Sequence, residues 1–167
     1  MVIQSTIEKD KILDVLRLVN DPEVPVLTIL DLGIVRDIIV QEDLVEIVIT
    51  PTYSGCPAMD AIALDIRLKL SEAGYKKVKI TNVLSPAWTT DWISEEGKTK
   101  LKAYGIAPPN PRQQVCSNDL FAPNEAVQCP HCNSYNTTRV SEFGSTACKA
   151  LYQCNDCREP FDYFKCH

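Results

Sequence analysis

Cys129-Pro130-His131-Cys132 and Cys154-Asn155-Asp156-Cys157 decide how the C-terminal part of this chain folds. Two Cys-x-x-Cys pairs separated by 21 residues bring four thiolates to the corners of a tetrahedron, the arrangement of a closed structural Zn²⁺ site. The reading is a zinc ribbon over residues 125–167. Each pair belongs on a tight turn whose backbone N–H groups point at the sulfurs; Pro130 and Asn133 suit such a turn, and Arg158 suits it less well. Two unrelated pairs, or two disulfides, are the plainer alternative, and the regular spacing argues against both. A single Fe fits the same four-thiolate cage, so Zn²⁺ and Fe both stay open. All four ligands come from protein and no coordination position is free, which suits a scaffold or docking surface better than a catalytic centre. Cys148 and Cys166 have no Cys-x-x-Cys partner and read as structural thiols. His131 sits inside the first knuckle and is expected to be exposed and not to ligate.

Composition narrows the rest. Eight cysteines without a signal peptide point to the reducing cytoplasm, where such residues hold metal or react rather than pair. No apolar run approaches the ~20 residues that span a bilayer, so no membrane association is expected. The net charge is -5, and residues 125–167 hold four Lys/Arg against five Asp/Glu. A ribbon without net positive charge is poorly suited to neutralising phosphates, so no nucleic-acid partner is expected and a nucleic-acid-binding zinc ribbon is the weakest of the readings.

Upstream of the ribbon the patterning is α+β. Ser5-Thr6-Ile7-Glu8 is a capping-box sequence, and Ile12, Val15, Leu16 and Val19 follow on one helical face. That helix is expected to stop at Asn20-Asp21, before Pro22. Asp21-Pro22-Glu23-Val24-Pro25-Val26 then reads as a rigid extended connector. Ile34–Val40 and Leu44–Thr50 form a hairpin across Gln41-Glu42-Asp43, with Val45, Ile47 and Ile49 on a wholly apolar face. A helix over 57–73 closes with Gly74, a strand follows over 77–84, and a short helix from Ser94 to about Tyr104 ends at Gly105. Trp88 and Trp92 are core anchors or a docking patch. The domains are therefore 1–107, a proline-bearing linker over 108–124 carrying the lone Cys116, and the ribbon over 125–167.

One residue in the first domain invites chemistry. Thr50-Pro51-Thr52-Tyr53-Ser54-Gly55-Cys56-Pro57 joins the second strand to the long helix. With Pro57 as first helical residue, Cys56 takes the N-cap, where the free N–H groups and the positive end of the helix dipole lower a thiol pKa. Burial as a small hydrophobe is the competing reading. The two histidines, His131 and His167, lie in the ribbon half, so no Cys-His hydrolase is expected.

Asp21-Pro22-Glu23-Val24-Pro25-Val26, Asp31-Leu32-Gly33-Ile34-Val35 and Thr52-Tyr53-Ser54-Gly55-Cys56-Pro57 resemble the signature of the small αβ domain of cytosolic iron-sulfur assembly and targeting factors. Pro86-Ala87-Trp88-Thr89-Thr90-Asp91-Trp92, the run Ser141–Tyr152 and the ending Glu159–Cys166 are similar to the phenylacetate-degradation accessory proteins, encoded alongside bacterial phenylacetyl-CoA epoxidase, also called the ring 1,2-oxygenase. The resemblance implies an iron-sulfur-assembly-like αβ domain followed by a rubredoxin-like zinc ribbon. It implies an accessory factor without catalytic activity of its own, which matures or inserts an iron-sulfur cluster or iron into the epoxidase complex. A structural or electron-transfer subunit of that complex is the alternative. The implied partners are the oxygenase and reductase subunits, with a homodimer possible. The family's reactive cysteine falls on Cys56, its Asp-Leu-Gly aspartate on Asp31, with Thr52 and Tyr53 beside the thiol, and its ribbon ligands on Cys129, Cys132, Cys154 and Cys157. Because one cysteine cannot hold a cluster, a transient cluster at Cys56 would draw further thiolates from a second copy, a client or Cys116.

Overall fold

The computed structural model describes residues 2–41, 44–109 and 127–165. Cys116, Cys166, His167, the hairpin turn at Glu42-Asp43 and most of the linker lie outside the described residues. The chain divides into two compact units, one running up to Trp88 with Trp92–Ser94, the other comprising Thr89–Asp91 and the chain from Glu95 onward. Among the described residues no helix is long and apolar enough to cross a membrane.

The first unit opens with helix α1, Val2–Leu16. It begins ahead of the capping box, so Ser5 is a helical residue and not the start; Met1–Gln4 holds no proline or glycine to stop the helix extending. Ile12, Leu16 and Val19 are fully buried. Strands β1 (Val35–Gln41) and β2 (Leu44–Ile49) pair antiparallel, with Ile38 opposite Ile47. Strand β3 (Lys77–Asn82) lies parallel to β2, with Ile47 opposite Ile80. Parallel neighbours need a crossover, and helix α2 (Ala58–Glu72) supplies it. The inward face of β2 (Val45, Ile47, Ile49) and the α2 row Ile62, Ile66, Leu70 are buried and form the core. Each such side chain contributes roughly 1.5–3 kcal/mol.

The Asp31-Leu32-Gly33 turn is clasped by the segment around the tryptophans. Trp88 is buried as a core anchor, and its Nε1–H donates to the Leu32 carbonyl at 2.8 Å. The Ser94 N–H donates to the Asp31 carbonyl at 2.8 Å. The Asp31 carboxylate accepts the Ser94 hydroxyl at 3.2 Å, the Thr28 N–H at 3.0 Å and the Thr28 hydroxyl at 2.9 Å. Trp92 lies under the Arg36 guanidinium, 3.8 Å from its ring centroid. Gly33 makes this approach possible: its φ is 67°, and a Cβ there would stand 2.8 Å from the Trp92 Cβ.

The second unit is a four-stranded sheet in the order β4-β7-β6-β5, from Ile106–Ala107, Pro160–Phe164, Lys149–Cys154 and Thr137–Ser141, preceded by helix α3 (Glu95–Ala103). The sequence reading closes the first domain with residues 95–107. In the structure β4 runs parallel to β7, Ile106 opposite Asp162, and this edge pairing draws the preceding helix into the second unit. Its core gathers Ala107, Val127, Ala150, Tyr152, Phe161 and Tyr163 with Cys129 and Cys154. The Tyr152 ring stacks on Phe161 at 5.9 Å and meets Tyr163 edge-on at 5.6 Å.

The Gly33 geometry yields a stability prediction. Gly33→Ala adds left-handed strain to a clash against backbone and is expected to cost roughly 2–4 kcal/mol. Denaturant unfolding of the variant, set against Gly74→Ala, checks it, because a Cβ at Gly74 meets nothing within 4 Å.

Candidate functional site

Two cysteine arrangements carry the chemistry. In the second unit the Sγ atoms of Cys129, Cys132, Cys154 and Cys157 all lie within 4.8 Å of one another. Cys129 to Cys157 is 3.7 Å and Cys132 to Cys154 is 3.5 Å. A tetrahedron with metal–sulfur bonds of about 2.3 Å has sulfur–sulfur edges of about 3.8 Å, so this donor set fits one tetrahedral ion.

The knuckles are built as the sequence suggests. The Asn133 N–H closes the first turn on the Cys129 carbonyl at 2.9 Å, and the Cys154 N–H reaches the Glu159 carbonyl at 3.0 Å. Asn133 and Arg158 both adopt left-handed backbone, φ 63° and 66°. Asparagine tolerates this region, whereas Arg158 is held there against a cost of about 1–2 kcal/mol. The turns aim N–H groups at sulfur: Ser134 at Cys132, Cys157 and Asp156 at Cys154, and Glu159 at Cys157. Asp156 ties the two knuckles together, accepting from the Ser134 hydroxyl and, at 2.8 Å, from the Asn136 side chain.

These donors divide the thiols electrostatically. The Cys157 and Asp156 N–H groups, outweighing burial, bring Cys154 down to about 7. Cys157 accepts the Glu159 N–H, yet burial and the thiols of Cys154, Cys132 and Cys129 push it up to about 12. Once one sulfur is negative its neighbours resist ionisation, and a divalent cation removes that conflict. Cys148 stands outside the cage, buried and 3.1 Å from the Thr146 hydroxyl. His131 is exposed.

The second arrangement is Cys56, half-buried on the loop between β2 and α2. Helix α2 starts one residue later than expected, with Pro57 at the N-cap and no capping side chain. The expected pKa depression is overturned. Burial pushes the Cys56 thiol above its ordinary value, and the Glu23 carboxylate adds to the rise, against hydrogen bonds from the Ala58 N–H and the Tyr53 and Thr52 side chains. The dipole argument failed because it weighed the helix end alone, without desolvation or a distant carboxylate.

Glu23 is the residue that sequence reasoning missed. The Asp21 carboxylate accepts the Glu23 and Val24 N–H groups at 2.7 and 2.8 Å, a turn that fixes this acid between two prolines. A carboxylate in so rigid a segment was the available signal. The Thr52 and Tyr53 side chains reach the thiol, while the hydrogen bonds described for Asp31 serve the Thr28 and Ser94 clasp.

Comparison with known proteins follows these two arrangements. Residues 9–81 match the family described as iron-sulfur cluster assembly protein, and residues 113–165 match the PaaD zinc beta ribbon domain. A protein of Escherichia coli (strain K12), provisionally named as the D component of 1,2-phenylacetyl-CoA epoxidase, is 51% identical over 148 residues, covering 89% of this chain and 87% of its own. The chain belongs to the same family as this protein, with a C-terminal ribbon of the PaaD type. The αβ part of this PaaD-type chain also has relatives outside the family. A Porphyromonas gingivalis (strain ATCC BAA-308 / W83) Fe-S protein maturation auxiliary factor is 40% identical over 95 residues, 56% of this chain and 90% of its own. The crystal structure of a domain of unknown function, DUF59, from Bacillus anthracis superposes with a TM-score of 0.52 at 29% identity, over 55% of this chain and 89% of that one. The α+β fold with a C-terminal four-cysteine ribbon is thus shared with PaaD-type proteins and, in its first part, with iron-sulfur assembly proteins.

The raised pKa makes a prediction about reactivity. Cys56 is protonated at pH 7, so its alkylation by iodoacetamide, followed by peptide mass mapping, rises only as the pH climbs through the alkaline range. Glu23→Gln removes a negative charge that opposes the thiolate and is expected to speed alkylation at pH 8 by about two- to fivefold.

Proposed function

We propose that this chain is an accessory factor of a phenylacetyl-CoA epoxidase system that matures an iron-sulfur cluster or iron centre in that complex. The observation that carries the proposal is the setting of Cys56: a half-buried thiol receiving the Ala58 N–H and the Tyr53 and Thr52 side chains, inside the segment that matches iron-sulfur assembly proteins. At rest the thiol keeps its proton. When an iron ion or cluster edge arrives as cargo, the positive metal displaces that proton, and the three donors then stabilise the resulting sulfur anion. Glu23 favours the cation and opposes the free thiolate, so Cys56 binds metal in preference to becoming an exposed nucleophile. Asp31 acts as a positioning residue through Thr28 and Ser94. A single thiolate holds a cluster only in passing, with the client's own cysteines completing the ligand set.

The ribbon serves this reading as a docking module built on a resident Zn²⁺, with the oxygenase and reductase subunits as the partners. Four thiolates around one ion leave no site for substrate. The four-sulfur cage with its N–H···S bonds also suits a single Fe, which supports the second reading, an electron-transfer role within the complex. A red, redox-active protein is the signature of that alternative.

The deciding experiment measures iron and acid-labile sulfide in the epoxidase reductase isolated from cells that carry the intact chain or Cys56→Ala. A reductase depleted of its cluster in the variant alone is expected. Full loading in both strains overturns the assignment of Cys56 to cargo.

A further inference from the structure

The turns behind the four-sulfur cage are joined to each other as well as to the sulfurs. The Ser134 N–H points at the Cys132 sulfur and the Asp156 N–H at the Cys154 sulfur. The side chains of the same two residues are bonded: the Ser134 hydroxyl donates to one Asp156 carboxylate oxygen, and the Asn136 side chain donates to the other at 2.8 Å. Asn136 is held in turn, its N–H donating to the Ser134 hydroxyl oxygen at 3.0 Å and its carbonyl accepting the Asn155 N–H at 2.8 Å. The Asn155 side-chain amide reaches the Asn136 side-chain oxygen at 3.0 Å. This network links the segment that follows the first knuckle to the two central residues of the second. It spans the edge of the cage where the Cys132 and Cys154 sulfurs stand 3.5 Å apart.

We infer that Asp156 is a positioning residue for this cage, latching the Cys132 knuckle to the second knuckle and so slowing loss of the resident ion. Cys132 is the exposed ligand, whereas Cys129 and Cys154 are buried and Cys157 is half-buried. A competing ligand therefore meets the Cys132 corner first, and the ion is lost when that thiolate swings out with its turn. The Ser134–Asp156 bond resists the swing, because Ser134 carries the N–H that holds the Cys132 sulfur. Bonds to a carboxylate are roughly twice as strong as bonds between neutral groups, and here two of them share one side chain. The charge of Asp156 works in the opposite direction, since a carboxylate beside four thiolates adds a further negative charge to the cage. What the residue contributes is the link. An ion meant for delivery needs an edge that opens, and the exposed edge of this cage is closed, which marks the ribbon ion as resident and not as cargo. The inference does not rest on what Cys56 carries, because its readout is the ribbon's own metal.

The test follows Zn²⁺ release from the full chain, loaded with a single equivalent under reducing conditions, to an excess of the chromophoric chelator pyridylazoresorcinol. Asp156→Ala is expected to release the ion about tenfold faster than the parent, the lower end of what partners of metal ligands contribute, because this network is open to water. Ser134→Ala, which cuts the same bond from its other end, is expected to release it several-fold faster. Asp156→Asn keeps an acceptor for Asn136 and a polar group for Ser134 while removing the charge, and is expected to stay close to the parent rate. Arg139→Ala breaks an exposed ion pair to Glu142 in the same sheet without touching the network, and serves as the control. Release from Asp156→Ala at the parent rate overturns the inference. So does equal acceleration in Asp156→Asn, which would assign the effect to charge, or in Arg139→Ala, which would assign it to general loosening of the ribbon. If Asp156→Ala fails to take up the ion, Ser134→Ala decides, and a parent-like rate there is the contradicting result.

Discussion

Four sulfurs within 4.8 Å of one another are the constraint on which the second unit depends. Four thiolates repel and four thiols leave their surroundings without a charge to stabilise; one divalent ion resolves both. The sheet around them is short, with strands of two to six residues, and among the described residues one buried cluster gathers eight side chains, two of them ligands. With so short a sheet, a bound metal ion would add to the cohesion of this core. An ion in the cage would also hold the left-handed turn at Arg158 that its side chain disfavours.

The first unit rests on different physics. Alternating apolar residues on β2 and a row on α2 bury a conventional core, and the tryptophan segment clasps the Asp31-Leu32-Gly33 turn by donating to its Asp31 and Leu32 carbonyls. Cys56 lies on the loop between β2 and α2, beside the Ala58 N–H and the Thr52 and Tyr53 side chains. Its environment combines features that oppose the bare thiolate with features that welcome a metal-bound one. A catalytic nucleophile needs its thiolate free at neutral pH, whereas the cargo role proposed above does not.

The knuckles were legible in the sequence because their chemistry is local: two residues between cysteines fix a turn, and only the pairing of the two turns is long-range. The hairpin, α2 and the third strand were legible through periodicity, to within a residue or two at most ends. The start of α1 was not, because a capping box marks only a preferred start and nothing before it prevents helix. Membership of β4 in the ribbon sheet was hidden as well, since two residues carry no periodicity and their partner, β7, lies more than 50 residues downstream. Glu23 and the raised thiol pKa escaped for a related reason. Desolvation and the charge of a residue 33 positions away are properties of the assembled unit. A reading confined to the cap sees only the dipole.

The most direct test of this account is X-ray absorption at the zinc and iron edges on the chain as isolated. The prediction is a zinc edge with four sulfur neighbours at about 2.3 Å, unchanged by Cys148→Ser. An iron edge in the same four-sulfur shell would turn the ribbon into a redox centre. A nitrogen or oxygen neighbour, a metal–metal scatterer, or no bound metal would contradict the four-thiolate cage itself.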